Sequence, residues 1–234
     1  MATDGARFDR ALLAGVDEPV RRYFTHAIAP GARLGTGLHL HMTGRIKVGR
    51  WLAFDADQAI DGRGFTWRAR AGWGPVKPLQ VLDRYGDAQG QTRGRLLGRF
   101  KLFDAIDTDT TRSAAGRTAL ESVAFAPTTV LPQHGVRWRA EGENVIVAEF
   151  DLPPERPEVE AVIDERGGLR SVSALRWGNV GQDEFGYIPC GAEVKNEGSF
   201  GDLVLPIFLE VGWWFATPRY EPFFETRILS ASID

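Results

Sequence analysis

Asp109–Leu131 reads DTTRSAAGRTALESVAFAPTTVL, the one stretch in the second half of the chain whose composition is typical of a helix. Thr110, Thr111 and Ser113 offer N-terminal caps, and Pro127 is expected to end the helix. Segments of strand length lie on both sides of it, which predicts a single antiparallel sheet interrupted by a helical insertion. We interpret this insertion as a lid over the concave face of a curved sheet or half-barrel.

Residues around the insertion alternate between apolar and polar with a period of two. Leu38 and Leu40 share one face of a predicted strand, whereas His39 and His41 share the other. Similar segments carry an apolar face and a cationic face, as expected for antiparallel strands with one solvated side. The predicted segments are Leu38–Val48, Phe65–Arg70, Arg93–Phe103, Val136–Ala140, Val145–Asp151 and Val159–Asp164.

Glycine recurs at every fourth position from Gly86 through Gly90 and Gly94 to Gly98. A helix here would lose about 1 kcal/mol per glycine relative to alanine, so a helix is disfavoured. We expect turns, and a strand that is kinked at Gly94 and Gly98, with Leu96, Phe100 and Leu102 on its apolar face.

Residues 1–30 are predicted to form an N-terminal helical segment. An apolar stripe with helical spacing runs along it, and Asp17 followed by Pro19 marks a second helix start. Two short helices, or one kinked helix, should therefore pack against the sheet rather than lie on a membrane. The stripe comprises Phe8, Leu12, Leu13, Val16, Val20, Tyr23 and Phe24.

Composition fits a single domain over residues 1–234. The chain has 28 Lys and Arg against 31 Asp and Glu, with a pI of about 5.9, which disfavours nucleic acid as a partner. Any charge-based recognition must therefore be local. Cys190 is the only cysteine, which excludes an internal disulfide. Together with the absence of a signal-peptide pattern and of a long apolar stretch, this predicts a cytoplasmic protein without a transmembrane segment.

A scattered set of residues resembles a bacterial family of uncharacterised proteins, and the resemblance extends from about Val20 to Ile233. No activity is established for that family, so the resemblance implies none for this chain. The residues are Gln58, Gly64-Phe65-Thr66-Trp67, Asp83-Arg84-Tyr85, Glu121 with Pro127 after it, Trp138, Gly186-Tyr187-Ile188-Pro189 and Glu193.

The order of strands, helix, proline and further strands also resembles the half-barrel of periplasmic lipoprotein carriers and localisation factors. In those proteins a helix covers an apolar cavity, so the resemblance implies a container for a hydrophobic guest. This chain departs from them because those carriers are exported, and residues 1–20 lack the uninterrupted apolar region of a signal peptide.

Motifs for metal, hydrolase or phosphate chemistry are weak. His39 and His41 have the spacing of a chelating pair, but His134, Glu193 and Glu197 do not complete a diagnostic metal motif. The chain lacks a Gly-x-Ser-x-Gly elbow and a P-loop. We therefore predict neither a metal nor a cofactor.

The first functional hypothesis is a binding module for a hydrophobic or amphipathic small molecule such as a lipid. The chain has 7 Trp and 14 Phe, which either line a pocket or form an ordinary core. The predicted ligand-binding residues are Phe65, Trp67, Arg95, Arg99 and Trp138.

The alternative hypothesis is a cofactor-free enzyme with acid–base chemistry of the isomerase, lyase or hydratase type in the same cavity. Glu121 near the centre of the insertion is the first candidate, although glutamate is rarely buried and a solvated position is favoured. The other catalytic candidates are His39, His41, Asp83 and Tyr85, with Arg95 or Arg99 stabilising an anion.

Overall fold

The computed structural model describes residues 6–181 and 183–234. They form one antiparallel sheet with the strand order β6-β5-β4-β3-β2-β1-β13-β12-β11-β10-β9-β8-β7. Residues 1–5 of the predicted N-terminal segment lie outside the described residues. The strands are β1 Leu38–Val48, β2 Arg50–Ile60, β3 Phe65–Trp73, β4 Val76–Gly86, β5 Gln89–Leu96, β6 Phe100–Ala105, β7 Arg137–Ala140, β8 Val145–Glu149, β9 Glu158–Ile163, β10 Leu169–Gly178, β11 Gly186–Phe200, β12 Leu203–Trp213 and β13 Glu221–Ile233.

Consecutive strands are neighbours in each half of the sheet, and the two halves join where β1 pairs with β13. The period-two pattern decides which face is buried: Leu38, Leu40 and Met42 point into the core. One turn requires glycine: Gly167 has φ +91°, and a Cβ there would lie 2.3 Å from the carbonyl oxygen of Arg22.

The sheet curls around a helix. This helix, α2 (Thr108–Phe125), packs against both β5 and β10, which are far apart in the strand order. The Tyr85 hydroxyl on β4 donates a hydrogen bond of 2.6 Å to the carbonyl of Pro153, which follows β8. The two halves of the sheet therefore approach each other across α2, which confirms the predicted curved antiparallel sheet with a helical insertion.

The insertion differs from its prediction at both ends. Its N-cap is Asp107, whose side chain accepts from the Thr110 amide, rather than Thr110, Thr111 or Ser113. The α-helix ends at Phe125, so residues 126–131 of the predicted insertion are not part of it. Pro127 begins a 3₁₀ turn because proline cannot donate the helical hydrogen bond.

The predicted segment Arg93–Phe103 is wrong as a single kinked strand. Leu97 and Gly98, with φ values of +53° and +71°, form a turn that separates β5 from β6. Leu96, Phe100 and Leu102 are exposed rather than buried: Leu96 and Phe100 flank the turn, and Leu102 lies on β6, which is an edge strand of the sheet.

The N-terminal segment forms a 3₁₀ turn at Arg10–Leu13 and the helix α1 (Glu18–Ala27), as the two-helix alternative predicted. Its stripe is buried against β7, β8 and β12, apart from the exposed Leu12 and the half-buried Val16. The Tyr23 hydroxyl donates to the carbonyl of Val123, which fixes α1 against the end of α2. Within the described part of the chain, no helix has the length and apolarity to cross a membrane.

Candidate functional site

A cavity of about 110 Å³ lies between α2 and the concave face of the sheet. Its wall is mostly apolar, and the small side chain of Ala124 on α2 leaves space opposite the strands. From α2 come Arg117, Leu120, Glu121, Ala124 and Phe125; from the sheet come Ile46, Trp67, Val172, Arg176, Cys190, Gly191, Ala192, Leu209, Val211, Phe223, Phe224 and Thr226.

One side of the cavity carries a network of charged and polar groups. Gln58, Trp67 and Asp83 are direct cross-strand partners on β2, β3 and β4, so their side chains share the concave face. Arg117 and Glu121 face them from adjacent turns of α2. Arg117 Nε donates to Glu121 Oε1 at 2.7 Å, and Arg117 Nη1 donates to Asp83 Oδ2 at 2.5 Å. Gln58 Nε2 donates to Glu121 Oε2 at 2.6 Å.

Arg117 is the centre of this network. Its guanidinium also lies over two rings, 4.5 Å from the centroid of Phe65 and 5.3 Å from that of Trp67. Burial lowers the pKa of Arg117, but attraction to Glu121 and Asp83 outweighs it and leaves the pKa above its usual value. A permanently charged cation therefore holds two carboxylates beside an apolar cavity.

Two buried hydrogen-bond donors in the cavity wall have no partner. Within the described residues nothing accepts from Trp67 Nε1 or bonds to Thr226 Oγ1, although both side chains are almost completely buried and both line the cavity. Unsatisfied buried polar groups are rare in folded proteins because each keeps a desolvation cost. The cavity thus presents two groups that would bond to a polar atom of a guest.

A further cation contributes to the wall. Arg176 Nε donates to the carbonyl of Ser113 at 2.9 Å, and its guanidinium lies 5.0 Å from the Trp213 ring centroid. No carboxylate of the described chain forms an ion pair with Arg176. Burial raises the pKa of the neighbouring Cys190 thiol despite Arg176, so this cysteine stays protonated and is a poor nucleophile.

The histidines do not belong to this site. His39 and His41 lie on the opposite face of β1, where each is largely exposed and pairs with a carboxylate at 2.9 Å, Asp234 and Asp57 respectively. Their placement in one cavity with Glu121 is therefore wrong, because strand residues of odd and even number point to opposite faces. Among the described residues, no group of three or more His, Cys, Asp or Glu side chains is placed to hold a metal.

The other predicted catalytic and ligand-binding residues lie at different positions in the fold, most of them outside the cavity wall. Asp83 reaches the cavity only through Arg117, and Tyr85 is held by Pro153 with its pKa raised to about 12, mainly by burial. Phe65 lies beneath Arg117 rather than in the wall. Trp138 packs on Tyr23 and Phe24 in the core and donates to the carbonyl of Val130, and it does not line this cavity.

Arg95 and Arg99 are exposed at the turn between β5 and β6 and do not line the cavity. Of the predicted ligand-binding residues, Trp67 alone contributes to the wall. Sequence reasoning missed Arg117, Arg176 and Thr226. Of these three residues, only Arg117 could have been identified from the sequence, because it lies one helical turn before the candidate Glu121.

The family model that matches this chain covers residues 14–232 and describes a family of unknown function, DUF6920. No curated protein matches the sequence.

Solved structures with a similar fold have little sequence identity to this chain. A LolA superfamily protein from Nitrosomonas europaea is 6% identical, with a TM-score of 0.51 and 92% of each chain covered. A DUF1329 family protein from Desulfovibrio piger is 9% identical, with a TM-score of 0.42 and 86% of each chain covered. A domain from Vibrio parahaemolyticus, described as a candidate outer membrane lipoprotein-sorting protein, is 9% identical, with a TM-score of 0.46 and 85% of each chain covered. The first of these confirms the predicted likeness to the carrier half-barrel at the level of fold.

Proposed function

This chain belongs to the DUF6920 family of unknown function, and we propose that it binds an amphipathic small molecule between α2 and the sheet. The observation that carries the proposal is the pair of unpartnered buried groups, Trp67 Nε1 and Thr226 Oγ1, in an otherwise mostly apolar wall. A ligand with a hydrogen-bond acceptor and an apolar chain satisfies both features.

The size of the cavity limits what can enter. An engineered apolar cavity of about 150 Å³ admits benzene, so a space of about 110 Å³ holds a short apolar segment. Phe223 and Phe224 in the wall are only half-buried. A longer chain would leave the cavity past these two rings, or would displace α2 from the sheet.

Native mass spectrometry followed by organic extraction tests the proposal directly. We expect a retained amphipathic molecule, and we expect octanol to displace the probe N-phenyl-1-naphthylamine more strongly than octane does. A clean apo mass from several expression hosts, together with equal displacement by octanol and octane, would contradict it.

Thr226→Val should separate binding from stability. Removing an unsatisfied buried hydroxyl should raise the free energy of unfolding by about 1 kcal/mol, whereas the lost hydrogen bond should weaken octanol binding about tenfold. Urea unfolding and probe displacement measure the two effects. Thr128→Val is the matched control, because the buried Thr128 hydroxyl likewise has no partner among the described residues but lies outside the cavity wall. Equal octanol affinity in the two variants would exclude Thr226 as a ligand contact.

Arg176 favours ligands with an anionic end. We expect octanoate to bind more tightly than octanol, and Arg176→Gln to lower octanoate affinity about tenfold while octanol affinity stays within a factor of two. Probe displacement at low and high salt measures the difference. An equal loss for both ligands would show that Arg176 only supports the wall.

The alternative of acid–base catalysis has less support from the geometry. Of the five predicted catalytic residues, Glu121 alone lines the cavity, and both of its carboxylate oxygens already accept hydrogen bonds from Arg117 and Gln58. Incubation of the extracted ligand with the protein distinguishes the two functions. A change in ligand mass or structure that Glu121→Gln abolishes would favour the enzyme, whereas an unchanged ligand favours a carrier.

A further inference from the structure

Three hairpin turns form a surface at one end of the sheet. Because neighbouring strands are antiparallel and follow each other in the order β1 to β6, the turns β1–β2, β3–β4 and β5–β6 lie at the same end. We call residues 47–51, 72–78 and 95–101 the tip surface.

The tip surface exposes large apolar side chains in each of its turns. Val48, Trp73, Val76, Leu97 and Phe100 are each 52–64% exposed. Single exposed apolar residues are ordinary, but a cluster on adjacent turns marks an interaction site. Leu97 also has φ +53°, a conformation that is unfavourable for leucine, and the strained turn points an apolar side chain to solvent.

The charge of the tip surface is of one sign. Its three segments contain no Asp or Glu, although the chain as a whole has a net charge of −3. Lys47, Lys77 and Lys101 form ion pairs with Glu221, Asp55 and Asp104, which lie outside the three segments. Within the described part of the chain no carboxylate forms an ion pair with Arg95 or Arg99. The cations of the surface are Lys47, Arg50, Lys77, Arg95, Arg99 and Lys101.

The tip surface also adjoins the cavity. Ile46 lines the cavity and immediately precedes Lys47. Phe223 lines it from β13, two residues after Glu221, the partner of Lys47. A molecule that leaves the cavity past these residues therefore reaches the tip surface.

We propose that the tip surface docks on an anionic lipid surface. Apolar side chains surrounded by cations match the boundary between acyl chains and anionic headgroups. There, burial of the apolar side chains and attraction of the cations to the headgroups both favour binding. A second copy of the chain is a poorer occupant, because two such surfaces would bring cations against cations. This inference stands on the exposed turns and does not depend on the ligand in the cavity.

Co-sedimentation of the full chain with vesicles tests the proposal. We expect binding to vesicles of phosphatidylcholine with phosphatidylglycerol, little binding to phosphatidylcholine alone, and weaker binding at high salt. Arg95→Gln with Arg99→Gln should reduce the partition coefficient about 30-fold, and Leu97→Ser with Phe100→Ser should reduce it at least tenfold.

Leu12→Ser with Leu229→Ser is the matched control, since both leucines are exposed outside the tip surface. It should bind like the unmodified chain, and circular dichroism should show all variants folded. Equal binding to neutral and anionic vesicles, no binding to either, or an equal loss in the control would overturn the proposal. So would self-association, detected by sedimentation velocity, that Leu97→Ser abolishes.

Discussion

Arg117→Met should lower the free energy of unfolding by about 3–5 kcal/mol, because it leaves two partly buried carboxylates without their shared cation. Arg117 bonds to Asp83 and Glu121, and the three side chains are only 14–20% exposed. The methionine retains the volume that packs over Phe65 but cannot offset the repulsion between the carboxylates. Urea unfolding followed by circular dichroism, at an unchanged slope against denaturant, measures the loss.

Two controls separate charge from packing. Adding Asp83→Asn and Glu121→Gln to Arg117→Met should restore most of the stability, because neutral partners leave no unpaired charge. Arg139→Met removes a more exposed arginine that pairs with Glu141, Glu149 and Glu158, and it should cost no more than about 1 kcal/mol. If Arg117→Met costs as little as Arg139→Met, the network does not hold α2 on the sheet.

Leu209→Ala should cost about 3–5 kcal/mol of stability and at the same time enlarge the space available to a ligand. Leu209 is 1% exposed and lines the cavity from β12, so its removal merges a new void with the existing one. We expect ligands with a bulkier apolar end, such as an aromatic alcohol, to bind at least tenfold more tightly relative to octanol. Probe displacement and urea unfolding measure the two effects on the same preparations.

Leu205→Ala provides the matched control on the same strand. Leu205 is likewise 1% exposed but does not line the cavity. It should lose similar stability without changing the preference between ligands. A shift of preference in both variants would mean that general loosening of the sheet, rather than the shape of the cavity, selects the ligand.

Local pattern was sufficient to predict the class of the fold and the presence of the helix, but not every boundary of the strands and the helix. The predicted strand Leu38–Val48 coincides with β1, and its apolar residues Leu38, Leu40 and Met42 are buried as the alternation predicts, although the register with β13 shifts at a bulge between His41 and Met42. Arg93–Phe103 misled the prediction because the turn inside it uses Leu97, which carries no turn signal and adopts a left-handed conformation only in the folded chain. The early end of α2 followed from Pro127, whereas its N-cap at Asp107 lay outside the predicted bounds.

The candidate site was less predictable, since its members come from distant parts of the chain. Trp67 was selected for its aromatic ring, yet its unpartnered N–H became visible only with its neighbours in place. Arg95 and Arg99 were selected as possible anion contacts for the cavity and instead lie on the tip surface. Arg176 and Thr226 sit on strands whose sequence gives no sign that they face a cavity.

The spacing of apolar and polar residues along the chain was enough to predict which residues share a face of a strand or helix. That information is local, because alternation and helical spacing depend only on neighbouring residues. The folded chain was needed to show that β1 pairs with β13, that the sheet curls around α2, and that Arg117 lies between Asp83 and Glu121. These contacts join residues far apart in the chain, and they depend on the curvature of the sheet, which no single segment specifies.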